Sequence, residues 1–316
     1  MEPTLKTINE AIRIAWETGD LRHKLQWPQH APYDQFYEKK ISRRRVWCAG
    51  RRCKKSTLML LLFSELCIKN PGGQTDFVAP VEKGLSAYMA PIIKDVFADC
   101  PEDLMPKYSE KHNHLLFEKQ DSRIIFNGCN MQQYKYMRGQ KLLAAGVDEM
   151  QSIDNLVEAV DDVLYPATWD SKGMLILSGT PPPVPDPEDP IMKYIEAAKA
   201  DGYYWHSTVY EAGYTHEHIA EALRETSRGA INQEESTMIT ELCDPANGYS
   251  VAQIYEMALK VGIKKESLTV FLREFMAEFI RDESTVVIPE WDDKYIQAFQ
   301  PTEYWPLYSC YLGLDI

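Results

Sequence analysis

One stretch of the chain combines an apolar run, a basic loop and the start of a helix: VWCAGRRCKKSTLMLLL, residues 46–62. A loop that binds phosphate needs inward-facing backbone N–H groups, a lysine, a hydroxyl for Mg²⁺ and a helix N-terminus aimed at the anion. Lys55 and Ser56 supply the lysine and the hydroxyl, and Thr57 follows them. The stretch therefore predicts a phosphate-binding loop.

Two positions depart from the consensus of such loops, G-x-x-x-x-G-K-[ST]. Ala49 and Lys54 stand where the consensus has glycine. If position 54 needs a positive φ, a lysine there is strained by about 1–2 kcal/mol, although its charge also favours phosphate. Taken alone, the stretch favours a phosphate loop and a basic solvated loop about equally, and we expect weak nucleotide affinity.

Two further apolar runs end in polar residues that can act on a nucleotide. KLLAAGV is followed by Asp148 and Glu149, one to hold Mg²⁺ through water and one to polarise the attacking water. MLIL is followed by Ser178-Gly179-Thr180, small residues able to sense a γ-phosphate. Each run alone is also explained by an ordinary strand end. A Lys-Ser helix start paired with a later Asp-Glu is the arrangement of P-loop ATPases with a catalytic glutamate, and it favours nucleotide hydrolysis.

Composition limits the class of protein. The 316 residues carry 47 acidic and 34 basic side chains, a net charge of −13, with 45% hydrophobic residues, as in an ordinary soluble globular protein. The seven cysteines form no C-x-x-C pair, which argues against a disulfide framework or zinc site and for a reducing compartment. No apolar run reaches the roughly 20 residues that span a bilayer. The exception to the acidic average is 39–55, with nine basic residues and no acid.

The pattern of apolar runs predicts the elements that position these residues. Strands and helices alternate up to residue 210, which is typical of a mostly parallel α/β sheet covered by helices on both faces. Ligands of such sheets bind at the carboxyl ends of the strands. We expect strands at 46–49, 76–79, 142–147 and 174–177, helices at 5–18, 56–70, 84–98 and 153–164, a hairpin at 115–127, and loops at 27–37 and after Leu177. Helices dominate from about 216 to 281.

Domain boundaries follow from the same pattern. We predict an ATPase core at 1–210, a helical lid subdomain at 211–282, a linker at 283–305 and an isolated strand at 306–316.

In this order, the motifs resemble the large terminase subunit of tailed bacteriophages, the motor that packages DNA into a procapsid. The resemblance rests on seven segments: APYDQFYEKK, AGRRCKKS, DFVAPVEKGLSA, YMRGQKLLAAGVDEMQ, LILSGTPPP, FLREFMAEFIRD and YLGLDI. It implies a P-loop ATPase of the ASCE type and, at 306–316, the first strand of an RNase H-like nuclease whose metal carboxylate is Asp315. The remaining nuclease carboxylates are absent, so this chain is not expected to cut DNA.

The resemblance also implies roles for single residues. Lys55, Ser56 and their neighbours bind the nucleotide and Mg²⁺, Asp148 completes the Mg²⁺ shell and Glu149 activates water. Arg138 is the candidate arginine finger acting on a neighbouring subunit, with Arg51 as the alternative in the same chain. Gln35 is the implied adenine-recognition glutamine and Gln29 its competitor. The implied nucleotide-binding set is Gln35, Gly50, Arg51, Arg52, Lys54, Lys55, Ser56 and Thr57, with Ser178, Gly179 and Thr180 as coupling residues.

The implied cofactors are ATP and Mg²⁺. The implied partners are double-stranded DNA, the portal protein, the small terminase subunit and further copies in a ring, in the cytoplasm of the infected bacterial host. Two alternatives stay open: a helicase-like nucleic-acid ATPase, and a degenerate assembly module without hydrolysis.

Overall fold

An eight-stranded sheet organises the protein. The computed structural model describes residues 5–38, 42–80, 85–130 and 133–280, so the predicted linker and the nuclease strand with Asp315 lie outside the described residues. The strand order is β3-β4-β5-β2-β6-β7-β1-β8, and only the β3–β4 and β4–β5 pairs are antiparallel. The strands are Arg44–Cys48 (β1), Gln74–Ala79 (β2), Lys107–Ser109 (β3), His114–Phe117 (β4), Ser122–Gly128 (β5), Ala144–Val147 (β6), Met174–Gly179 (β7) and Tyr204–Trp205 (β8).

Helices cover both faces of the sheet and form a separate cluster after β8. They are Leu5–Thr18 (α1), His30–Tyr37 (α2), Lys55–Lys69 (α3), Leu85–Val96 (α4), Tyr165–Ala167 (α5), Pro190–Asp201 (α6), His216–Thr226 (α7), Gln233–Cys243 (α8), Val251–Lys260 (α9) and Glu266–Glu274 (α10). A π-helix, Glu158–Leu164, runs directly into α5. The predicted α/β class with a mostly parallel sheet is confirmed.

The apolar runs of the sequence are buried on both sides of the sheet. Alternate residues of β2 point to opposite faces, so Phe77 packs with α3 in one core and Val78 packs with β6 in the other. Helix α3 is buried without interruption from Leu58 to Phe63, which explains why its sequence lacks a polar face.

Parallel register brings the predicted motifs to one edge. Cys48 lies opposite Gly179 and Val147 lies opposite Leu177, so β1, β6 and β7 end side by side. Strand β7 lies between β1 and β6. The loop after β1, the acidic pair after β6 and the end of β7 therefore meet.

One predicted loop contains a helix. Residues 27–37 hold a 3₁₀ turn, Trp27–Gln29, and helix α2, because Pro28 and Pro32 stand in first turns, where the missing N–H costs no hydrogen bond. The proline-rich segment after β7 is a loop, as predicted. It ends where helix α6 begins at Pro190, and the N-cap Asp189 accepts from the N–H of Ile191 at 2.7 Å. Proline in these segments begins helices rather than excluding them.

The helices after β8 form their own apolar core. Leu223, Ile239, Ala258 and Phe271, one from each of α7 to α10, are fully buried there. Three of the four helices begin with a side-chain N-cap, at Thr215, Asn232 and Ser250. Helix α10 ends at Glu274, earlier than the predicted 281. Among the described residues, no helix is long and apolar enough to cross a membrane.

Candidate nucleotide site

The loop between β1 and α3 wraps around the amino group of Lys55. This side chain is buried, and its Nζ donates to the carbonyl oxygens of Ala49 at 2.6 Å and Gly50 at 3.3 Å. The first N–H groups of α3 have no acceptor within the helix, and the helix dipole adds positive potential at this end. A buried cation beside open N–H donors is a site for an anion.

The loop adopts left-handed backbone at two residues that are not glycine. Arg52 has φ of 71°, and Lys54, the N-cap of α3, has φ of 54° and ψ of 41°. The position where the consensus has glycine thus does need a positive φ, and Lys54 supplies it at a cost of about 1–2 kcal/mol. This strain lies at the start of α3, next to Lys55.

Three hydroxyl groups converge on the carboxylate of Asp148, which is buried. Ser178 Oγ donates to Oδ1 at 2.6 Å, while Ser56 Oγ and Tyr88 OH donate to Oδ2 at 2.5 and 3.0 Å. Tyr88, in α4, was not found by sequence analysis because nothing local to it indicates the contact. Burial and the charge of Asp148 raise the pKa of the Tyr88 hydroxyl, so it stays a donor.

The Asp148 and Ser56 pair fits a magnesium ion. Mg²⁺ takes oxygen ligands, and in phosphate-binding sites it uses one or two carboxylates, water and phosphate oxygens. Ser56 Oγ, at the start of α3, and the carboxylate of Asp148, directly after β6, are oxygen ligands of this kind, and a hydrogen bond of 2.5 Å joins them.

Glu149 occupies a strained and partly buried position. Its φ is 53°, and its carboxylate accepts from Nε2 of Gln151. Burial and the adjacent charge of Asp148 raise the pKa of Glu149, while the charge of Lys55 acts in the opposite direction. A carboxylate with a raised pKa is a better proton acceptor, as a general base requires.

A chain of hydrogen bonds runs from Glu149 to the helical cluster. Gln151 Nε2 also donates to Thr180 Oγ1 at 3.2 Å, and Thr180 Oγ1 donates to Glu274 Oε2 at 3.3 Å. Gly179 makes room for this chain, since a Cβ there would lie 2.1 Å from Gln151 Oε1. The predicted coupling residues Ser178, Gly179 and Thr180 thus lie between the acidic pair and α10.

The loop between β1 and α3 is bound to the end of α10. Arg51 Nε donates to Glu274 Oε2 at 2.8 Å, and the N–H of Arg51 donates to the Glu274 carbonyl at 2.5 Å. A Cβ on Gly50 would lie 2.2 Å from the Phe275 carbonyl oxygen, so only glycine fits this approach. Sequence analysis did not single out Glu274.

Gln29, rather than Gln35, lies beside the phosphate loop. Gln29 is buried, and its Nε2 donates to the Lys54 carbonyl at 3.1 Å while its Oε1 accepts from the Gln26 N–H at 2.8 Å. It borders a cavity of about 180 Å³, which Lys24, Gln29, Lys54, Thr57, Leu58 and Leu61 help to line. The backbone carbonyl of Gln35 accepts a hydrogen bond from Arg45 Nε. Its side-chain Oε1 is buried and has no hydrogen-bond partner among the described residues.

Arg138 lies apart from the phosphate loop within the chain. It is exposed and lines a cleft of about 600 Å³ with Asp161 and Asp162. The segment after it enters β6 from the amino ends of the strands, where Leu143 N–H donates to the carbonyl of Gln74, the first residue of β2. The Lys55 and Glu149 side chains lie at the carboxyl ends.

Neither a protein-family model nor a curated protein matches the sequence. Among solved structures, the large terminase of a thermophilic bacteriophage matches with a TM-score of 0.51 and 11% identity, covering 64% of this chain and 50% of that chain. The fold is similar to that of about half of a phage large terminase. The chain spans about half the length of that thermophilic phage protein.

Two other terminases are similar to a lesser degree. The ATPase domain of the Thermus phage P74-26 large terminase has a TM-score of 0.49 and 14% identity, with 89% of this chain and 100% of that chain covered. The HK97 bacteriophage large terminase has a TM-score of 0.46 and 13% identity, with 78% and 48% covered. The terminase fold agrees with the resemblance drawn from the sequence motifs.

Proposed function

We propose that the protein hydrolyses ATP as the motor subunit of a viral DNA-packaging terminase. The observation that carries the proposal is the convergence of Lys55, Ser56, Asp148 and Glu149 at the carboxyl ends of β1 and β6. Ser56 and Asp148 are 92 positions apart in the sequence, and the fold brings their segments to one edge.

Lys55 binds the β- and γ-phosphates. Its amino group already lies at the start of α3, held by the carbonyls of Ala49 and Gly50. Phosphate oxygens are stronger acceptors than carbonyls because they are charged. Arrival of the nucleotide therefore moves the Lys55 amino group from the two carbonyls to the phosphates.

Glu149 acts as the general base. Its raised pKa favours uptake of a proton from water. Gln151 donates to its carboxylate and orients it, which leaves the other oxygen of Glu149 to accept from the attacking water. Ser56 and Asp148 would hold Mg²⁺, which would supply positive charge to neutralise phosphate.

Gln29 recognises the base. One N–H of its amide is engaged by Lys54 and its oxygen accepts once, from Gln26. One donor and one acceptor position remain, the pair that an amide uses to bind adenine through N6 and N7. The adjacent cavity of about 180 Å³ has apolar walls at Leu58 and Leu61. Gln29, rather than Gln35, is therefore the glutamine that we propose binds adenine.

Hydrolysis is coupled to movement through the contacts of α10. Loss of the γ-phosphate changes the position of Glu149, and its hydrogen bonds pass the change to Gln151 and then to Thr180. Thr180 in turn contacts Glu274, at the end of α10. In a ring of subunits, exposed Arg138 acts on the nucleotide of a neighbour. Double-stranded DNA, a portal protein and a small terminase subunit are the partners, in the cytoplasm of an infected bacterium.

Calorimetric titration with ATP and Mg²⁺ tests the nucleotide site. We expect binding by the wild type, weaker Mg²⁺-dependent binding by Asp148→Asn, and no binding by Lys55→Ala. Asp170→Asn, on an exposed turn, is the matched control for Asp148→Asn and should bind as the wild type does. Hydrolysis that is stimulated by double-stranded DNA supports the packaging motor. Wild-type protein without any affinity for ATP would favour the degenerate assembly module.

A further inference from the structure

The carboxylate of Glu65 is fully buried and accepts from several donors, and the proposed chemistry does not use it. Glu65 lies in the third turn of α3 and has no exposed surface. Leu21 N–H donates to Oε1 at 2.6 Å, and Tyr33 OH contacts Oε1 and Oε2 at 3.0 and 3.1 Å. Tyr37 OH donates to Oε2, and Lys69 Nζ lies 3.5 Å from the same oxygen.

Glu65 shares a helix face with the walls of the cavity beside Gln29. Leu58, Leu61 and Glu65 are spaced three and four residues apart, so they line one stripe of α3. Two residues of this stripe, Leu58 and Leu61, face the cavity. Glu65 follows them one turn further from the phosphate loop.

The opposing segment carries a matching stripe. This stripe has one residue every four positions: Gln29 at the N-cap of α2, and Tyr33 and Tyr37 within the helix. Gln29 contacts Lys54 at one end of the α3 stripe, and the two tyrosines contact Glu65 at the other end. Helix α2 is thus fixed to α3 at two points, with the cavity at the Gln29 end.

We propose that Glu65 is a positioning residue for base recognition, holding α2 so that Gln29 meets the base of a nucleotide whose phosphates lie at Lys55. The inference rests on the proposed function, because it takes the cavity beside Gln29 as the base site. Burial and the charge of Glu65 raise the pKa of both the Tyr33 and the Tyr37 hydroxyl. Both tyrosine hydroxyls therefore stay protonated, and remain donors, at neutral pH.

Kinetics of the whole chain with Glu65→Gln, and separately with Tyr33→Phe and Tyr37→Phe combined, test this role. We expect KM for ATP to rise about tenfold in both variants with kcat within about twofold, since a factor of ten needs only 1.4 kcal/mol of lost binding. Inhibition by inorganic tripolyphosphate, which has phosphates and no base, should be unchanged. Preference for ATP over GTP should fall.

Tyr210→Phe is the matched control. It removes another part-buried hydroxyl, which donates to the Thr240 carbonyl in the helical cluster, away from the cavity. It should lower the melting temperature without changing KM. The pair of tyrosine substitutions keeps the test available if Glu65→Gln does not fold.

An unchanged KM in both variants would overturn the inference. So would equal weakening of ATP and tripolyphosphate, because that pattern means a damaged phosphate loop. Wild-type protein that binds neither ATP nor tripolyphosphate would instead contradict the proposed function itself.

Discussion

Arg51 Nε and Glu274 Oε2 are 2.8 Å apart, although 223 positions separate the two residues in the chain. The first is in the loop after β1 and the second ends α10, in the helical cluster. Thr180 Oγ1 shares the same carboxylate oxygen at 3.3 Å. A single carboxylate thus joins the loop after β1, the end of β7 and α10.

Substitution Glu274→Gln should uncouple these segments. The neutral amide of glutamine cannot form the ion pairs that Glu274 forms with Arg51 and Arg273. It also has one acceptor oxygen where the carboxylate has two. We expect kcat for ATP to fall about tenfold, equivalent to about 1.4 kcal/mol in the activation barrier, with a smaller change in KM. Steady-state kinetics at saturating ATP measure this fall in kcat.

Glu234→Gln, an exposed glutamate in the first turn of α8, is the control for that experiment. It removes the same charge from the same helical cluster without touching the loop. A kcat of Glu274→Gln equal to that of this control would show that the carboxylate does not connect the loop to α10.

Gly179→Ala should act through Gln151. The new Cβ would meet Gln151 Oε1 at 2.1 Å and displace the amide that orients Glu149. We expect Gly179→Ala and Gln151→Ala to lower kcat by similar factors, and the double variant to be no slower than either. A double-mutant cycle in kcat tests this, because residues acting through one contact are not additive. Additive losses would mean that Gly179 has a separate role.

Lys54→Gly should stabilise the protein. Glycine adopts the left-handed backbone of position 54 without the steric cost that lysine bears, about 1 kcal/mol. Lys172→Gly is the control, since Lys172 has a φ of 51° in a turn before β7. Urea unfolding should show a similar gain for both variants, and ATP hydrolysis should persist in both. Loss of hydrolysis in Lys54→Gly would show that the lysine charge, rather than the backbone shape, is what the loop needs.

The buried carboxylate of Asp76 should make the free energy of unfolding fall as pH rises, whereas most carboxylates in folded proteins make it rise. This carboxylate is fully buried in β2, where Asn127 Nδ2 donates to both of its oxygens at 2.9 Å. Burial raises the pKa of Asp76 to about 7. Between the unfolded pKa near 4 and this value, the folded state holds a proton that the unfolded state has lost, so stability falls as pH rises.

Asp76→Asn should therefore be more stable than the wild type at pH 8, by about 2 kcal/mol or more, since each pKa unit corresponds to about 1.4 kcal/mol. The gain should shrink toward pH 5, where wild-type Asp76 is protonated. Asp170→Asn, a change at an exposed acid, should show no such trend. Urea unfolding at the two pH values measures the difference, and a gain that does not depend on pH would contradict the raised pKa.

Local patterns in the sequence predicted much of the candidate site. Apolar runs fixed the positions of β1, β6 and β7, and parallel pairing then had to bring Lys55, Asp148 and Ser178 to one edge. The loop consensus raised a positive φ at position 54 only as a condition, and Lys54 does have one.

Contacts between distant segments were not predictable in this way. Tyr88 contacts Asp148 from helix α4, and Glu274 contacts Arg51 from the helical cluster. Neither residue stands in a pattern that indicates its partner. Helix α2 was missed for a different reason, because its prolines were interpreted as breakers although they stand in first turns. That error concealed the alignment of Gln29, Tyr33 and Tyr37.

ATP turnover by the wild type and by Glu149→Gln, compared at equal nucleotide occupancy, tests the central claim most directly. Glutamine keeps the size of Glu149 and its contact with Gln151 but cannot accept a proton, so we expect ATP to bind with little change while hydrolysis falls at least a hundredfold, as for loss of a general base. In the wild type, kcat should decline as pH falls through the raised pKa of Glu149. Equal turnover by the two proteins, or no turnover by a wild type that is assembled with DNA, would contradict the account.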